Sequence, residues 1–464
     1  MKKVIGITIS VATTFTLYVA ITASAKSVAT PPTQVPFENS LNFMHHSPGS
    51  NTNLHRRARI ADKSAIEKPS DDFKMLKKAY GNLGPLYTNI FYFDKVSLLQ
   101  GKANEKFWSY ANSPTYKGGL AMRPSENDKN YEWPDYKRDF EALPPEKLFS
   151  NNRSVEMSAA SKYDYLFGDQ NTIFNKEIDF ADSVYNRHNR ISHWFGICHG
   201  TAIASFSYPE PVKGVTVKAF NNSDLHFTSI DIKRLAAYVW AENQKQSFQV
   251  GGRCYSNELG SREAFCLDTN PATFHLSLLN YIGVYGKTFI IDNAYDSMVW
   301  NRPVLSFRYK YKNPLTKLPS NKLKYSLLKL ENYVNDPKAK FRAKDAFYIV
   351  EVEMTVELLY GDKDPKPNRL DSAYKINYSY DLEIDRNGNI IGGEWITKYH
   401  PDFTWMIKEG TSPSTTEDIF LKDFLWDGKT PLDYYVRSLG KQAAKKGKVL
   451  EYIVRSLIEL TKEK

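Results

Sequence analysis

Cysteine is scarce in this chain: three residues in 464, at positions 198, 254 and 266. Three thiols allow one disulfide and leave one sulfur over. Long apolar runs are absent after the first 25 residues. That excludes a later membrane-spanning helix, and with it stable membrane insertion of a processed chain. No zinc-finger, RNP or helix-turn-helix pattern accompanies the basic residues, so the formal charge of +10 reads as solvated surface and not as a nucleic-acid interface. An EF-hand is missing too. Asp385, Asn387 and Asn389 fall in sequence, but the glycine is misplaced and no closing Glu follows at the right distance. No internal repeat is evident, and nothing speaks to oligomeric state.

What is present is an ordinary globular composition, 42% hydrophobic and 25% charged, with 14% aromatic residues that argue for β structure and a filled interior. The length exceeds one small core and suggests one large domain with additions, or two domains. Lys2 and Lys3, an apolar run from Val4 to about Ile21, and Ala23-Ser24-Ala25 form a cleavable secretory signal over residues 1–25. The mature protein is therefore expected to be secreted or periplasmic. Its positive balance suits acidic surfaces such as cell envelopes or polyanionic glycans. Residues 26–75 are rich in Pro, Ser, Asn and Thr and read as a poorly ordered linker or propeptide. Within them His45-His46 lacks neighbouring ligands for a metal.

The expected fold class is α+β, with a main domain over 76–410 and a helical tail over 411–464. Asn89 to Phe93 is expected as a short strand, and Met157 to Phe167 as a helix. Val215–Val217 and Leu225–Phe227 flank a turn and predict a hairpin. Thr228 with Asp231 forms a capping box, and Ile232, Leu235, Ala236, Val239 and Trp240 recur at helical spacing. Phe274–Leu279 and Thr288–Asp292 read as two short apolar strands joined around Gly283 and Gly286. Phe347 to Leu359 alternates apolar and polar. A second hairpin turns at Asp385-Arg386-Asn387-Gly388, and helical periodicity returns from Pro431.

Cys254 and Cys266 lie 266 − 254 = 12 positions apart in a loop and form the natural disulfide pair, leaving Cys198 free. Cys198 stands where a glycine-flanked loop, Trp194-Phe195-Gly196-Ile197, enters a small-residue helix. A thiol there faces unpaired backbone N–H groups, which favour the nucleophilic thiolate. A base must take its proton and an orienter must hold the base. His199 is next door and points to another helix face. His275, in the first apolar run, is the better base. Asp292 on the following strand, or Asp296 if the turn shifts, shares its face by two-residue periodicity.

Helix-borne Cys, then His, then Asp is the order of the papain-like superfamily. The chain resembles, more narrowly, the elicitor-type transglutaminases of oomycete cell walls and their bacterial relatives. Six segments carry the resemblance: Trp194 to Gly200, Pro209-Glu210-Pro211, Asp231-Ile232-Lys233, Asn270 to His275, Val299-Trp300-Asn301-Arg302-Pro303 and Gly392-Gly393-Glu394-Trp395. His400-Pro401-Asp402-Phe403 with Trp405 completes them. The resemblance implies acyl transfer from protein glutamine to lysine or other primary amines. It carries the triad onto Cys198, His275 and Asp292. The Cys198 backbone N–H and the Trp194 indole would serve as oxyanion donors. No metal or cofactor is indicated by a motif, although some transglutaminases use calcium. A papain-like protease or cell-wall amidase would use the same triad, and a non-catalytic secreted binding protein would leave Cys198 inert.

Overall fold

The computed structural model describes residues 70–462, apart from 81–82, 127, 151–152, 244–246, 253–267, 295–297, 363–372 and 398. The signal segment, most of the linker, Asp296 and the Cys254–Cys266 pair therefore lie outside the described residues.

The first helices are α1 (Ser70–Tyr80), α2 (Ile90–Lys95), α3 (Trp133–Ala142), α4 (Ala159–Phe167) and α5 (Thr172–His188). α2 replaces the strand expected at 89–93. The Asn89 side chain accepts from the Phe91 and Tyr92 N–H groups, which is an N-cap, and the aromatic run behind it is helical. Next come α6 (Cys198–Ser207), the hairpin β1 (Val215–Lys218) with β2 (Asp224–Phe227), and α7 (Ser229–Asn243). The capping box forms: Asp231 Oδ2 accepts from Thr228 N at 2.8 Å, and Thr228 Oγ1 accepts from Asp231 N at 3.1 Å. The same carboxylate receives Lys162 Nζ at 2.6 Å, with both groups buried. α7 is buried on nearly every face, more than its one-sided periodicity foretold, because helices pack on both sides of it.

One large sheet holds the rest. Its main strands are β3 (Ser247–Gly251), β4 (Ile290–Asp292), β5 (Asn301–Lys312), β6 (Tyr348–Leu359), β7 (Ala373–Ile384), β8 (Ile390–Trp395) and β9 (Phe403–Ile407). Their order is β8-β7-β6-β5-β4-β9-β3, and every neighbouring pair on that path is antiparallel. β6 alternates as expected: Val350, Val352, Met354, Val356 and Leu358 are buried, while Glu353 is exposed.

Two cores lie on opposite faces of the sheet. One gathers α4–α7 and the C-terminal helices with Ile290, Leu305 and Trp405. The other gathers Phe274, Ile291, Val304, Phe307, Tyr309 and the inner residues of β6 and β7. A bulge controls which face of β5 looks where. Glu357 pairs with Ser306 but Leu358 pairs with Val304, so Leu305 is the extra residue. Up to the bulge, Leu305 packs in the helical core and Asn301 touches Cys198 and Trp405. After it, Phe307, Tyr309 and Tyr311 face the other.

α8 (Pro271–Ser277) occupies the place of the first predicted apolar strand. Asn270 caps it through Ala272 N at 2.9 Å, and Pro271 sits in its first turn, where a missing N–H costs nothing. A wide helical turn, Leu278–Val284, continues it, so the expected hairpin across Gly283 does not form. The tail supplies α9 (Tyr434–Lys445) and α10 (Glu451–Leu460). α10 buries Ile453, Val454, Leu457 and Ile458 against the helical core. Each such side chain contributes roughly 1.5–3 kcal/mol. No described helix is long and apolar enough to cross a membrane.

Candidate active site

Cys198 is the first residue of α6. It is half-buried and unbridged. No side chain caps this helix end, at whose first turn the backbone N–H groups have no partner within the helix. Two glycines make the position possible. A Cβ on Gly196 would lie 2.7 Å from the Ser113 carbonyl oxygen, and the backbone there bridges to Pro114. A Cβ on Gly200 would lie 2.6 Å from Ala241 N, so only glycine lets α6 press onto α7. Trp194, the expected second oxyanion donor, is half-buried and edge-on to Phe195 at 5.6 Å.

Sγ meets the start of β5. Its thiol hydrogen points to the Val299 carbonyl at 3.7 Å, and Asn301 Nδ2 donates to it at 3.3 Å. Asn301 Oδ1 in turn accepts from Trp405 Nε1 at 2.7 Å. Asp292 is the direct cross-strand partner of Asn301. Such opposed residues stand about 4.5–5.5 Å apart at Cβ. Asp292 Oδ1 accepts from Trp300 N at 2.7 Å and Ala294 N at 3.2 Å, which ties down both ends of the connection between β4 and β5. Arg302, next along β5, is buried with its guanidinium 3.8 Å from the Tyr360 ring centre and 5.0 Å from that of Trp300.

His275 is elsewhere. Its Nδ1 pairs with the Tyr380 hydroxyl at 2.8 Å, and its ring stands edge-on to Tyr309 at 5.0 Å. Both tyrosines belong to the second core, on the sheet face away from α6. Tyr309 is also eight residues along β5 from Asn301, roughly 25 Å of extended chain. Complete burial pushes the His275 imidazole down to about 3, and no neighbouring carboxylate counters it. The triad expected from the sequence is thus corrected. Asp292 and Cys198 share one neighbourhood, and His275 is a neutral core residue outside it.

No other described imidazole is hydrogen-bonded to Sγ. His193 is exposed and stacks on Tyr116 at 4.3 Å, and His199 is buried on α6. His400 pairs with Asp268 at 2.7 Å and stacks on Trp395, in contact with the second core. Asn301, Trp405 and the Val299 carbonyl received no role from the sequence. The available signal was that Asn301 and Trp405 lie in two of the segments that carry the family resemblance. Among the described residues, no group of three or more His, Cys, Asp or Glu is placed to hold a metal ion.

Comparison with known proteins gives three findings. The chain is similar in fold to the crystal structure of the GP42 transglutaminase from Phytophthora sojae. The TM-score is 0.52 at 20% identity, over 74% of this chain and 92% of that one. No curated protein matches it. The profile of the transglutaminase elicitor family matches residues 108–422, more than half the chain, from the core tryptophan Trp108 to the first residues of the tail. With the helix-borne cysteine and the α+β core inside that span, this chain belongs to the transglutaminase elicitor family.

Proposed function

We propose that this chain is a protein-glutamine γ-glutamyltransferase with Cys198 as its nucleophile. One observation carries the reading: a half-buried, unbridged sulfur at an uncapped helix N-terminus, with an N–H donor 3.3 Å away. Sγ attacks the carboxamide carbon of a glutamine side chain. The carbonyl oxygen becomes an oxyanion beside the backbone N–H of Cys198 at the N-terminus of α6. Collapse breaks the C–N bond, and the departing group leaves as ammonia, taking up one proton to match the one the thiol lost. A lysine ε-amine then attacks the thioester, giving an isopeptide bond and restoring the thiol. Water in place of the amine yields glutamate.

With no described imidazole at the sulfur, these protons move through solvent. A positioned acid–base group contributes about 10²–10⁴-fold, so turnover is expected to be slow. Substrates are proteins with accessible glutamine and lysine, met outside the cytoplasm once the signal segment is removed. The test is incorporation of a fluorescent primary amine into a glutamine-bearing acceptor, with and without calcium. Wild type should incorporate it with release of ammonia, and Cys198→Ala should fold and incorporate none. Full incorporation by Cys198→Ala refutes the assignment, and new N-termini in the acceptor point to peptide hydrolysis instead.

A second reading has its own support. The group bonded to Sγ is a carboxamide, which cannot accept the thiol proton. A binding protein with an inert cysteine would show no incorporation by wild type.

A further inference from the structure

Asn301 touches the sulfur, and its orientation is set from behind. An indole N–H can only donate, so Trp405 Nε1, 2.7 Å from Asn301 Oδ1, commits the carboxamide oxygen to itself. The amide nitrogen is thereby turned to Cys198. Asn301 is 2% exposed and Trp405 0%, so water competes for neither bond. The two partners of Sγ differ in character. The Val299 carbonyl accepts from a thiol, whereas the Asn301 N–H suits a thiolate.

We propose that Asn301, clamped by Trp405, is a catalytic residue of the γ-glutamyl transfer. It donates to the Cys198 thiolate and holds Sγ at the start of β5, aimed at the substrate carboxamide. The proposal rests on Cys198 being the nucleophile. Trp405 acts through Asn301 and is a positioning residue. Hydrogen bonds to charged acceptors are the strong class, and losing this one leaves about tenfold fewer thiolates near neutral pH. Each remaining thiolate is about threefold more nucleophilic, because nucleophilicity rises with basicity. The net expectation is alkylation about three- to fourfold slower.

The experiment follows iodoacetamide alkylation of Cys198 from about pH 5 to about pH 10, which brackets the free-cysteine range. The chains compared are the wild type, Asn301→Ala, Asn301→Ser and Trp405→Phe. Circular dichroism checks folding, and amine incorporation is measured in parallel. The two Asn301 variants should lag below about pH 8 and overtake the wild type by about threefold at the alkaline end, where every sulfur is ionised. Trp405→Phe should move the profile the same way by less, since the amide survives but is no longer clamped. Loss of packing alone does not move a pH profile, and Asn301→Ser serves if Asn301→Ala does not fold. Identical profiles in chains that incorporate amine overturn the Asn301 proposal alone. Shifted profiles in a wild-type protein that incorporates none overturn the transferase reading while the tie between Asn301 and the sulfur stands.

Discussion

Replacing His275 and Tyr380 together by phenylalanine separates a core imidazole from a catalytic one. His275 is fully buried, and burial pushes it down to about 3. In the unfolded chain it titrates near 6.5. Between those values the unfolded chain binds a proton that the native chain does not. Stability from this residue is therefore complete above about pH 6.5 and is lost as pH falls toward 3. The slope is about 1.4 kcal/mol per pH unit, so moving from neutral pH to about pH 4 removes about 3 kcal/mol through this one ring. Changing only His275 to alanine would leave a cavity and an unpaired Tyr380 hydroxyl, costing roughly 3–5 kcal/mol and confusing the result. Changing both partners to apolar rings of similar shape is close to neutral at neutral pH. Urea unfolding at about pH 7 and about pH 4 should show the wild type losing about 3 kcal/mol more than the double variant. The double variant should also keep wild-type Cys198 alkylation. An equal acid loss in both chains, or a folded double variant with a silenced Cys198, would refute the reasoning.

Three further outcomes are expected. Gly200→Ala should cost about 1–3 kcal/mol by overpacking α6 on α7, and it should reduce amine incorporation because the displaced helix carries the sulfur; a thermal melt and the amine assay check both. Asp292→Asn keeps an acceptor for Trp300 N and Ala294 N but loses the charge, so stability should fall by about 1–2 kcal/mol, read by urea unfolding. Cys198→Ser should melt within about 1 kcal/mol of the wild type, since the sulfur's two contacts are weak, yet release no ammonia from a glutamine substrate.

The local features were legible because their causes are local. The Thr228–Asp231 box, the alternation along β6 and the turn at Asp385–Gly388 each arise within a dozen residues. Two misreadings share one origin. Asn89–Phe93 and Phe274–Leu279 read as short strands from their apolar content, and both are helical. In both, an asparagine, Asn89 or Asn270, caps the helix, and at 271 a proline in the first turn signals the same thing. Periodicity alone cannot separate a short buried strand from a short buried helix, and the cap decides. Asn301 was beyond reach for another reason. Its contact with Cys198 spans 301 − 198 = 103 positions and depends on the bulge at Leu305, which sets the face that the start of β5 presents.

The tail reaches back to the reactive helix. Tyr208, at the C-terminal end of α6, hydrogen-bonds through its hydroxyl to Glu451, and Asn243 on α7 reaches the Val449 carbonyl. Those partners are translated more than 200 positions after the cysteine. A nascent chain emerging in order thus carries its sulfur on a helix whose packing is incomplete until the far segment arrives, so the helix that bears Cys198 settles late in folding.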